Sequence, residues 1–297
     1  MAFTARATMN KPAPLIWRAR GHALDLSTRG LVMGIVNVTP DSFSDGGRFF
    51  DPIVAVERGL ALVAEGADIL DIGGESTRPG AQPVSAEEEL RRVLPVLTAL
   101  RGKTQALLSI DTFKPEVARA ALEAGAEVLN DVTGLRDPRM MEIAAGCDAG
   151  LVVMHMKGDP QTMQRNPVYA DVVMEVREFF TGRLRALGEA GIEPERVVFD
   201  PGFGFGKTLE HNLALLRALP WLPAGGRPLL AGVSRKSMIA RVLGSDAMED
   251  RFWPTVALTS WAREHGASIL RVHDVRANAQ ALRMTEAILE AGSGRAA

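Results

Sequence analysis

Residues 106–131 read ALLSIDTFKPEVARAALEAGAEVLND, which is an apolar run, a helix-like segment and a second apolar run. The first run ends at Asp111 and the second at Asn130, so polar side chains follow both. Strands joined by a helix of this length must run parallel, and right-handed crossovers carry the helix onto the outside of the sheet. This stretch therefore predicts one strand–helix–strand unit of an α/β protein.

The same alternation of strand and helix occurs eight times along the chain. The predicted strands are 31–36, 68–72, 106–110, 127–129, 151–154, 197–199, 229–233 and 269–272. The predicted helices are 53–65, 86–100, 115–124, 140–145, 171–190, 210–219, 252–265 and 277–290. Eight units can close into a (β/α)8 TIM barrel, whereas the competing doubly wound sheet would gather fewer strand ends at a ligand. We therefore predict a barrel.

This pattern divides the chain into one barrel and two short flanking segments. Residues 1–30 are predicted as an N-terminal extension, with a short hairpin around the turn at Arg20 that caps the barrel floor. Residues 31–290 are predicted as the barrel and 291–297 as a flexible tail. Pro95 is expected to kink or split the second helix.

Composition excludes several classes of protein. The chain has 297 residues, of which 46% are hydrophobic and 24% charged, as in a soluble domain with a full core. A net charge of −2 provides no positive field for a polyanion, so no nucleic acid partner is expected. The single cysteine, Cys147, rules out a disulfide framework and is interpreted as a packed, inert thiol. No apolar run approaches the roughly 18 residues of a membrane span, so we expect no membrane partner and a cytoplasmic location.

Polar residues that follow different strands should converge, because all strand carboxyl ends of a barrel open on one face. Asp111, Asn130 and Asp200 put two carboxylates and an amide at three of these ends. Since a buried carboxylate needs a donor, a flat heterocycle with an aminopyrimidine edge would suit this set. The alternative is that each residue caps the helix that follows it.

Two loops rich in glycine and side-chain oxygens follow the first and second strands. Residues 37–47 read NVTPDSFSDGG and could help to bind Mg²⁺, which prefers oxygen ligands and is often completed by substrate phosphates. Residues 73–80 read GGESTRPG and could close over an anion through Arg78. An Asx-rich turn and a plain surface turn are the respective alternatives.

The last strands end in cations and hydrogen-bond donors. Residues 232–236 read GVSRK and residues 271–274 read RVHD, at the strand ends where barrels most often bind phosphate. Residues 201–208 read PGFGFGKT, but Pro201 stands where a phosphate-binding loop needs glycine. The two phenylalanines in this segment instead suggest an aromatic wall on a flexible loop, or simple packing.

The histidines do not predict a metal site. Among the five, only His155 and His273 lie at strand ends. The others, His22, His211 and His265, are interpreted as ordinary surface residues.

Together these segments resemble the dihydropteroate synthase family of folate biosynthesis, which binds sulfonamide drugs. The resemblance extends from Leu31 to about Met284. Its distinctive segments are NVTPDSF (37–43), GESTRPG (74–80), SIDT (109–112), NDV (130–132), DPGFGFGK (200–207), SRK (234–236) and RVHD (271–274). Residues 251–255, RFWPT, are bulkier than the family's small residues before the last strand, a change expected to leave the active site untouched.

The resemblance implies condensation of 6-hydroxymethyl-7,8-dihydropterin diphosphate with 4-aminobenzoate, giving 7,8-dihydropteroate and pyrophosphate. It also implies a transferase of an alkyl group, Mg²⁺ as the cofactor, and a homodimer. The expected chemistry is a dissociative substitution at the exocyclic carbon, with no covalent enzyme nucleophile.

The resemblance further implies roles for individual residues. At the pterin, Asp111, Asn130 and Asp200 would bind the edge of the ring system. Lys236 would contact the ring heteroatoms, and Arg271 would lie against the face of the pterin. Arg271 and His273 would bind the diphosphate. Asn37 would hold Mg²⁺. Those at the aminobenzoate end are Thr77, Arg78, Phe205 and Ser234, with Asp41, Phe43 and Asp45 closing from the first loop. Catalysis is expected to involve Asp41, Asp45, Arg78 and Lys236.

Two other functions stay open at this point. A pterin-dependent methyltransferase resembles this fold and shares the acidic pocket, but it has no use for a diphosphate site such as residues 234–236. A catalytically silent pterin binder should have lost at least one member of the residue set, and none is missing.

Overall fold

The protein is an eight-stranded parallel barrel with a short antiparallel hairpin at its N-terminal side. The computed structural model describes residues 14–39, 52–76, 81–158, 162–164 and 166–292. The hairpin strands are β1 Ile16–Ala19 and β2 His22–Asp25. The barrel strands are β3 Leu31–Asn37, β4 Ile69–Gly73, β5 Leu107–Asp111, β6 Val128–Asp131, β7 Gly150–Met154, β8 Val197–Asp200, β9 Leu229–Ala231 and β10 Ala267–Val272.

The barrel closes because β10 pairs in parallel with both β3 and β9. The other strands are hydrogen-bonded in chain order, each parallel to the next. This confirms the predicted TIM barrel and excludes the doubly wound sheet, which has open edges. The predicted strand bounds differ from the observed ones by one or two residues.

Helices cover the outside of the barrel. They are α1 Pro52–Glu65, α2 Ala86–Leu100, α3 Pro115–Ala124, α4 Pro138–Ala145, α5 Val172–Glu189, α6 Leu209–Arg217, α7 Ser237–Leu243, α8 Phe252–Glu264 and α9 Val275–Gly292. The sequence predicted all of these except α7, whose seven residues are too few for a clear helical period. Helix α2 continues through Pro95 and does not split there. No helix within the described ranges is long and apolar enough to cross a membrane.

The hairpin closes the floor of the barrel, as predicted. Trp17 is fully buried against inward-facing strand residues such as Met33 and Ile69, and its indole N–H donates to the Arg196 carbonyl at 2.9 Å. The lower half of the barrel is therefore a packed apolar plug. Among the described residues, the space for a ligand is therefore at the opposite end, where the strands finish.

Candidate active site

The inward side chains of the barrel change from apolar to polar toward the carboxyl ends of the strands. Alternate residues of a strand point into the barrel, so β5 presents Leu107, Ser109 and Asp111 in succession. The register places Asn37, Gly73, Asp111 and Asn130 at one level across four adjacent strands. Predicted site residues from separate segments therefore lie side by side.

Arg271 joins two of these strands by ion pairs. Its Nε lies 2.6 Å from Asp71 Oδ2, and its Nη2 lies 2.7 Å from Asp111 Oδ2. Asp71 is fully buried and also accepts from Ser109 Oγ at 2.6 Å and from Asn130 Nδ2 at 3.0 Å. Five polar side chains from β4, β5, β6 and β10 thus form one connected network at the upper end of the barrel interior.

The charges of this network are shaped by burial. Burial raises the pKa of Asp111 to about 7, while the Arg271 guanidinium opposes that rise. Burial disfavours the charge on Arg271 as well, but Asp71 and Asp111 more than compensate and raise its pKa. A carboxylate near its titration point, beside a fixed cation, is typical of a functional site.

Asp200 and Lys236 form the opposite wall. Asp200 Oδ1 accepts from the Gly202 N–H at 2.7 Å. Burial raises the pKa of Asp200, with the Gly202 N–H and then Lys236 opposing. Lys236 Nζ lies 4.2 Å from the centre of the Phe205 ring, within the range of a cation–π contact. The pocket therefore combines carboxylates, two cations and an aromatic face.

The two phenylalanines of residues 201–208 have different roles. Phe203 is 1% exposed and belongs to the core between strands and helices. Phe205 instead packs beside a small methionine-rich cluster that includes Met154 and Met156, next to Lys236. Simple packing therefore accounts for Phe203, whereas the aromatic wall stays a prediction for Phe205.

Lys207 fastens the loop that carries Phe205. Lys207 is 2% exposed, and its Nζ donates to the carbonyls of Gly202 and Phe205, both at 2.9 Å, and to the carbonyl of His155 at 3.2 Å. Its Nζ also lies 3.0 Å from His155 Nδ1. Burial lowers the pKa of His155 to about 2, so this ring is neutral. Lys207 thus points into the protein, and the loop is held by these bonds, in contrast to the flexible loop that the sequence suggested.

Ser234 and His273 form a hydrogen-bonded pair. Ser234 Oγ lies 2.9 Å from His273 Nδ1, and the backbone N–H of His273 donates to the same Oγ at 3.2 Å. A hydroxyl that donates to Nδ1 leaves the imidazole proton on Nε2. The pair can therefore present an N–H donor to an anion.

Residue 235, between Ser234 and Lys236, is held in an uncommon conformation. Arg235 has a φ of 56°, and its guanidinium binds both carboxylate oxygens of Asp274 at 2.6 and 3.0 Å. Its N–H donates to Thr255 Oγ1, and its carbonyl accepts from Arg251. Arg251 and Thr255 of the segment 251–255 therefore contact the backbone between Ser234 and Lys236, a contact that the sequence did not predict.

The loop after β4 is fastened by buried charges. Glu75 and Glu89 both form ion pairs with Lys114 Nζ, and Arg92 Nη1 donates to the Gly74 carbonyl at 2.8 Å. These contacts position Gly74 and Glu75, which come shortly before the predicted site residue Thr77.

His211 was interpreted from sequence as a surface residue. It completes a capping box with Thr208 at the start of α6.

The structure brings together all nine of the predicted site residues that it describes. Those at the upper barrel end are Asn37, Asp111, Asn130, Asp200, Phe205, Ser234, Lys236, Arg271 and His273. The predicted residues Asp41, Phe43, Asp45, Thr77 and Arg78 lie outside the described residues. In the described part of the chain, no group of three or more His, Cys, Asp or Glu side chains could hold a metal ion.

Sequence reasoning missed Asp71, Ser109 and Lys207. Asp71 and Ser109 lie within apolar runs, where they were counted as strand. The signal that could have found them is the period of two, because each lies two residues from an inward apolar residue, Ile69 or Leu107. Lys207 offered no comparable signal, since its direction depends on the fold of the loop.

The comparison with protein families defines the class. A family model described as "Pterin binding enzyme" matches residues 33–273, which include every site residue described above. The fold and the pocket are thus those of a pterin-binding barrel enzyme.

Individual relatives narrow the assignment. Dihydropteroate synthase of Escherichia coli K12 is 46% identical over 273 residues, covering 92% of this chain and 96% of the relative. Xanthomonas albilineans dihydropteroate synthase, solved with 4-aminobenzoic acid, is 49% identical with a TM-score of 0.87, covering 93% and 98%. The Burkholderia cenocepacia enzyme, complexed with 7,8-dihydropteroate, is 46% identical with a TM-score of 0.86, covering 95% and 99%. This chain belongs to the dihydropteroate synthase family.

Proposed function

We propose that this chain condenses 6-hydroxymethyl-7,8-dihydropterin diphosphate with 4-aminobenzoate in folate biosynthesis, releasing pyrophosphate. One observation carries the proposal: Asp71, Asp111 and Asn130 share a buried network with Arg271 at the open end of the barrel. That network offers hydrogen-bond acceptors beside a cation, as a pterin bearing a diphosphate requires. Relatives solved with 4-aminobenzoic acid and with 7,8-dihydropteroate support it.

In this proposal the pterin edge donates its N–H groups to Asp111, Asn130 and Asp200. Lys236 contacts the ring heteroatoms, and Arg271 lies against the pterin face. Buried acceptors of this kind reject a ligand that lacks the matching donors, because the acceptors would then be unpaired. The pocket therefore favours an aminopyrimidine-type heterocycle.

The diphosphate would be bound by Arg271 and by the Nε2–H of His273. The aminobenzoate would lie against Phe205 and Ser234, with Thr77 and Arg78 completing that end. Asp41, Phe43 and Asp45 would close over both substrates, and Asp41, Asp45, Arg78 and Lys236 are the residues that we propose for catalysis.

The residues present suit Mg²⁺ bound mainly by the substrate. Asn37 ends β3 at the level of Gly73 and Asp111, and it offers one amide oxygen. Mg²⁺ keeps several waters and is usually completed by substrate phosphates, so it needs few protein ligands. When bound, it would neutralise the charge of the leaving diphosphate.

The reaction is a substitution at the exocyclic carbon of the pterin. The carbon–oxygen bond to the diphosphate breaks while Arg271 and His273 stabilise the negative charge that forms on the leaving oxygen. The amine nitrogen of 4-aminobenzoate then bonds to that carbon and loses a proton. Phe205 and Ser234 orient the amine for this attack. Although Ser234 and His273 form a pair, the serine needs no covalent role, since the amine is itself the nucleophile.

A pyrophosphate-release assay tests the function. Wild-type protein should release pyrophosphate from the pterin diphosphate only when 4-aminobenzoate and Mg²⁺ are both present. A methyltransferase would release none under any condition. A silent binder would bind the pterin, measured by calorimetry, without releasing pyrophosphate.

Replacement of Asp111 by asparagine should weaken pterin binding by about 1–3 kcal/mol, because a buried contact becomes mismatched. Burial raises the pKa of Asp111 to about 7, and the ionised form is the acceptor. The affinity of the wild-type protein for the pterin should therefore rise as the pH increases through 7. This rise should be absent in Asp111→Asn, because asparagine does not ionise. Calorimetry from pH 6 to pH 8 measures both, with Asp148→Asn at the other barrel end as the control. Unchanged affinity in Asp111→Asn would contradict the role.

Replacement of Asn37 by alanine should lower turnover more than pterin affinity. The amide oxygen is proposed to contact Mg²⁺, whereas the pterin edge is held by other strands. Turnover should fall roughly tenfold or more, as expected for a lost group that acts on the leaving charge. Titration of Mg²⁺ should show a higher requirement in the variant. Equal losses of turnover and pterin affinity would count against the metal role.

We also propose a homodimer and sensitivity to sulfonamides. Trp253, 73% exposed, lines a groove of about 390 Å³ together with Met248, Phe252, Arg235 and Glu249, and exposed apolar residues often mark interfaces. Analytical ultracentrifugation should give a dimer at micromolar concentration, and a monomer would contradict this proposal.

Sulfonamides should compete with 4-aminobenzoate in the pyrophosphate-release assay.

A further inference from the structure

Asp71 lies under the proposed pterin pocket and not in it. It is fully buried on β4, and the register pairs it with Ser109 on β5, one inward position below the level of Asp111 and Asn130. Its two oxygens accept from three side chains of different strands. The three donors are Ser109 Oγ, Asn130 Nδ2 and Arg271 Nε.

This arrangement determines which end of the Asn130 amide faces a ligand. An ionised carboxylate can only accept hydrogen bonds, so Asn130 must turn its NH₂ group toward Asp71. The bond is 3.0 Å long, and Asn130 is 4% exposed. The amide oxygen is therefore directed away from Asp71 and is the acceptor left for a ligand. A reversed amide would place two acceptors in contact and would be unstable.

The same carboxylate fixes the plane of Arg271. The guanidinium donates through Nε to Asp71 and through Nη2 to Asp111, which lie on adjacent strands. Two contacts at different edges of a planar group leave little freedom of rotation. Arg271 and Asn130 are both residues that the proposed function places against substrate.

We propose that Asp71 is a positioning residue that sets the donor and acceptor pattern of the pterin pocket. By holding the Asn130 amide, it makes the pocket select a heterocycle with an N–H donor at that edge over an isostere with an acceptor there. This inference rests on the proposed function, because the ligand class is the pterin of that reaction. Asp71 acts through Asn130 and Arg271 and does not contact the substrate.

A reciprocal exchange of the two residues tests this role. In Asn130→Asp, two carboxylates face each other, and the affinity for 6-hydroxymethylpterin should fall about 100-fold. In the double variant Asp71→Asn with Asn130→Asp, the new asparagine can donate to the new aspartate, and the pair regains its original net charge. Affinity should then recover at least about fivefold over Asn130→Asp, because coupled residues deviate from additivity. It should stay below wild type, because Asp71 Oδ2 also accepts from Arg271 Nε and an asparagine at that position loses this ion pair. Asp148→Asn serves as the control for an aspartate-to-asparagine change.

The outcomes are distinct. Suppose that wild type binds the pterin and that the double variant binds it as weakly as Asn130→Asp alone does. In that case the positioning role is wrong, and the proposed function stands. If wild type itself binds no pterin, the proposed function fails. The selectivity of the pocket is checked with a pterin analogue that carries an acceptor in place of the edge N–H. If wild type bound this analogue as tightly as the pterin, the inference would also be overturned.

A second measurement needs neither ligand nor a stable double variant. The side-chain amide hydrogens of Asn130, identified by their absence in Asn130→Asp, should exchange slowly with solvent in the NMR spectrum of the wild-type protein. Exchange as fast as that of an exposed asparagine would overturn the inference. Circular dichroism and thermal melting of each variant identify any loss of the fold.

Discussion

Replacing Arg271 with methionine is expected to lower kcat/KM by about 10²- to 10³-fold. Removing one group that stabilises a developing charge typically lowers kcat by about 10²- to 10³-fold. Removing one partner of a buried ion pair also costs about 3–5 kcal/mol of folding stability, because the remaining charge is left unpaired. Here two carboxylates, Asp71 and Asp111, lose their guanidinium at 2.6 and 2.7 Å. The Arg271 side chain is 20% exposed, toward the open end of the barrel. We therefore expect the variant both to bind the pterin more weakly and to stabilise the leaving diphosphate less well.

The loss should also depend on pH in a defined direction. Burial already raises the pKa of Asp111 to about 7, and Arg271 opposes that rise. Without the guanidinium, the pKa of Asp111 moves higher, so more of the residue is protonated near neutrality. The variant should therefore recover part of its pterin affinity as the pH rises from 7 to 9.

Steady-state kinetics and calorimetry over that range measure both effects. Arg29→Met is a matched control, since it removes an ion pair with Asp68 in which Arg29 is 69% exposed. Such surface pairs contribute at most about 1 kcal/mol. A kcat/KM within threefold of wild type in Arg271→Met would contradict the role given to the network.

Replacing Gly202 with alanine is expected to destabilise the protein by about 2–5 kcal/mol and to abolish activity. Gly202 has a φ of 67°, which costs a residue with a side chain about 1–2 kcal/mol. The added methyl group would also overlap the His155 carbonyl oxygen, an atom of the rigid backbone that accepts from Lys207. Overpacking of this kind adds about 1–3 kcal/mol. Displacing Gly202 would move the N–H that holds Asp200.

Gly226 provides a matched control with the same backbone angle. Its φ is also 67°, but a methyl group there would meet nothing within 4 Å. Gly226→Ala should therefore cost only the conformational term, about 1–2 kcal/mol, and should stay active. Denaturant unfolding of the two variants separates strain from overlap. Equal destabilisation by both substitutions would show that the overlap at Gly202 is relieved without cost.

Much of the fold could be predicted from local patterns. Residues 107–111, for example, form an apolar strand before Pro115 begins a helix, and these signals lie within a few positions of each other. The short helix α7 escaped prediction because seven residues carry too little periodicity. The convergence of the candidate site residues was predictable too, since parallel strands place their carboxyl ends on one face.

The contacts within the candidate site could not be predicted from local sequence patterns. Asp71 reads as one polar residue in an apolar strand, and nothing adjacent to it shows that it holds Asn130. Lys207 follows a glycine-rich loop and looks like a ligand-binding lysine, yet it donates to carbonyls inside the protein. In both cases, the contact partners are distant in sequence.

The sequence by itself determined the alternation of strand and helix, the barrel class, the family resemblance and the polar character of the strand ends, because each follows from residues near one another along the chain. Only the tertiary structure decided that Arg271 meets Asp71, 200 residues away, and that Asn37 shares a level with Asp111. These contacts depend on how the strands are staggered when the barrel closes. That stagger is a property of the whole sheet, and no single segment encodes it.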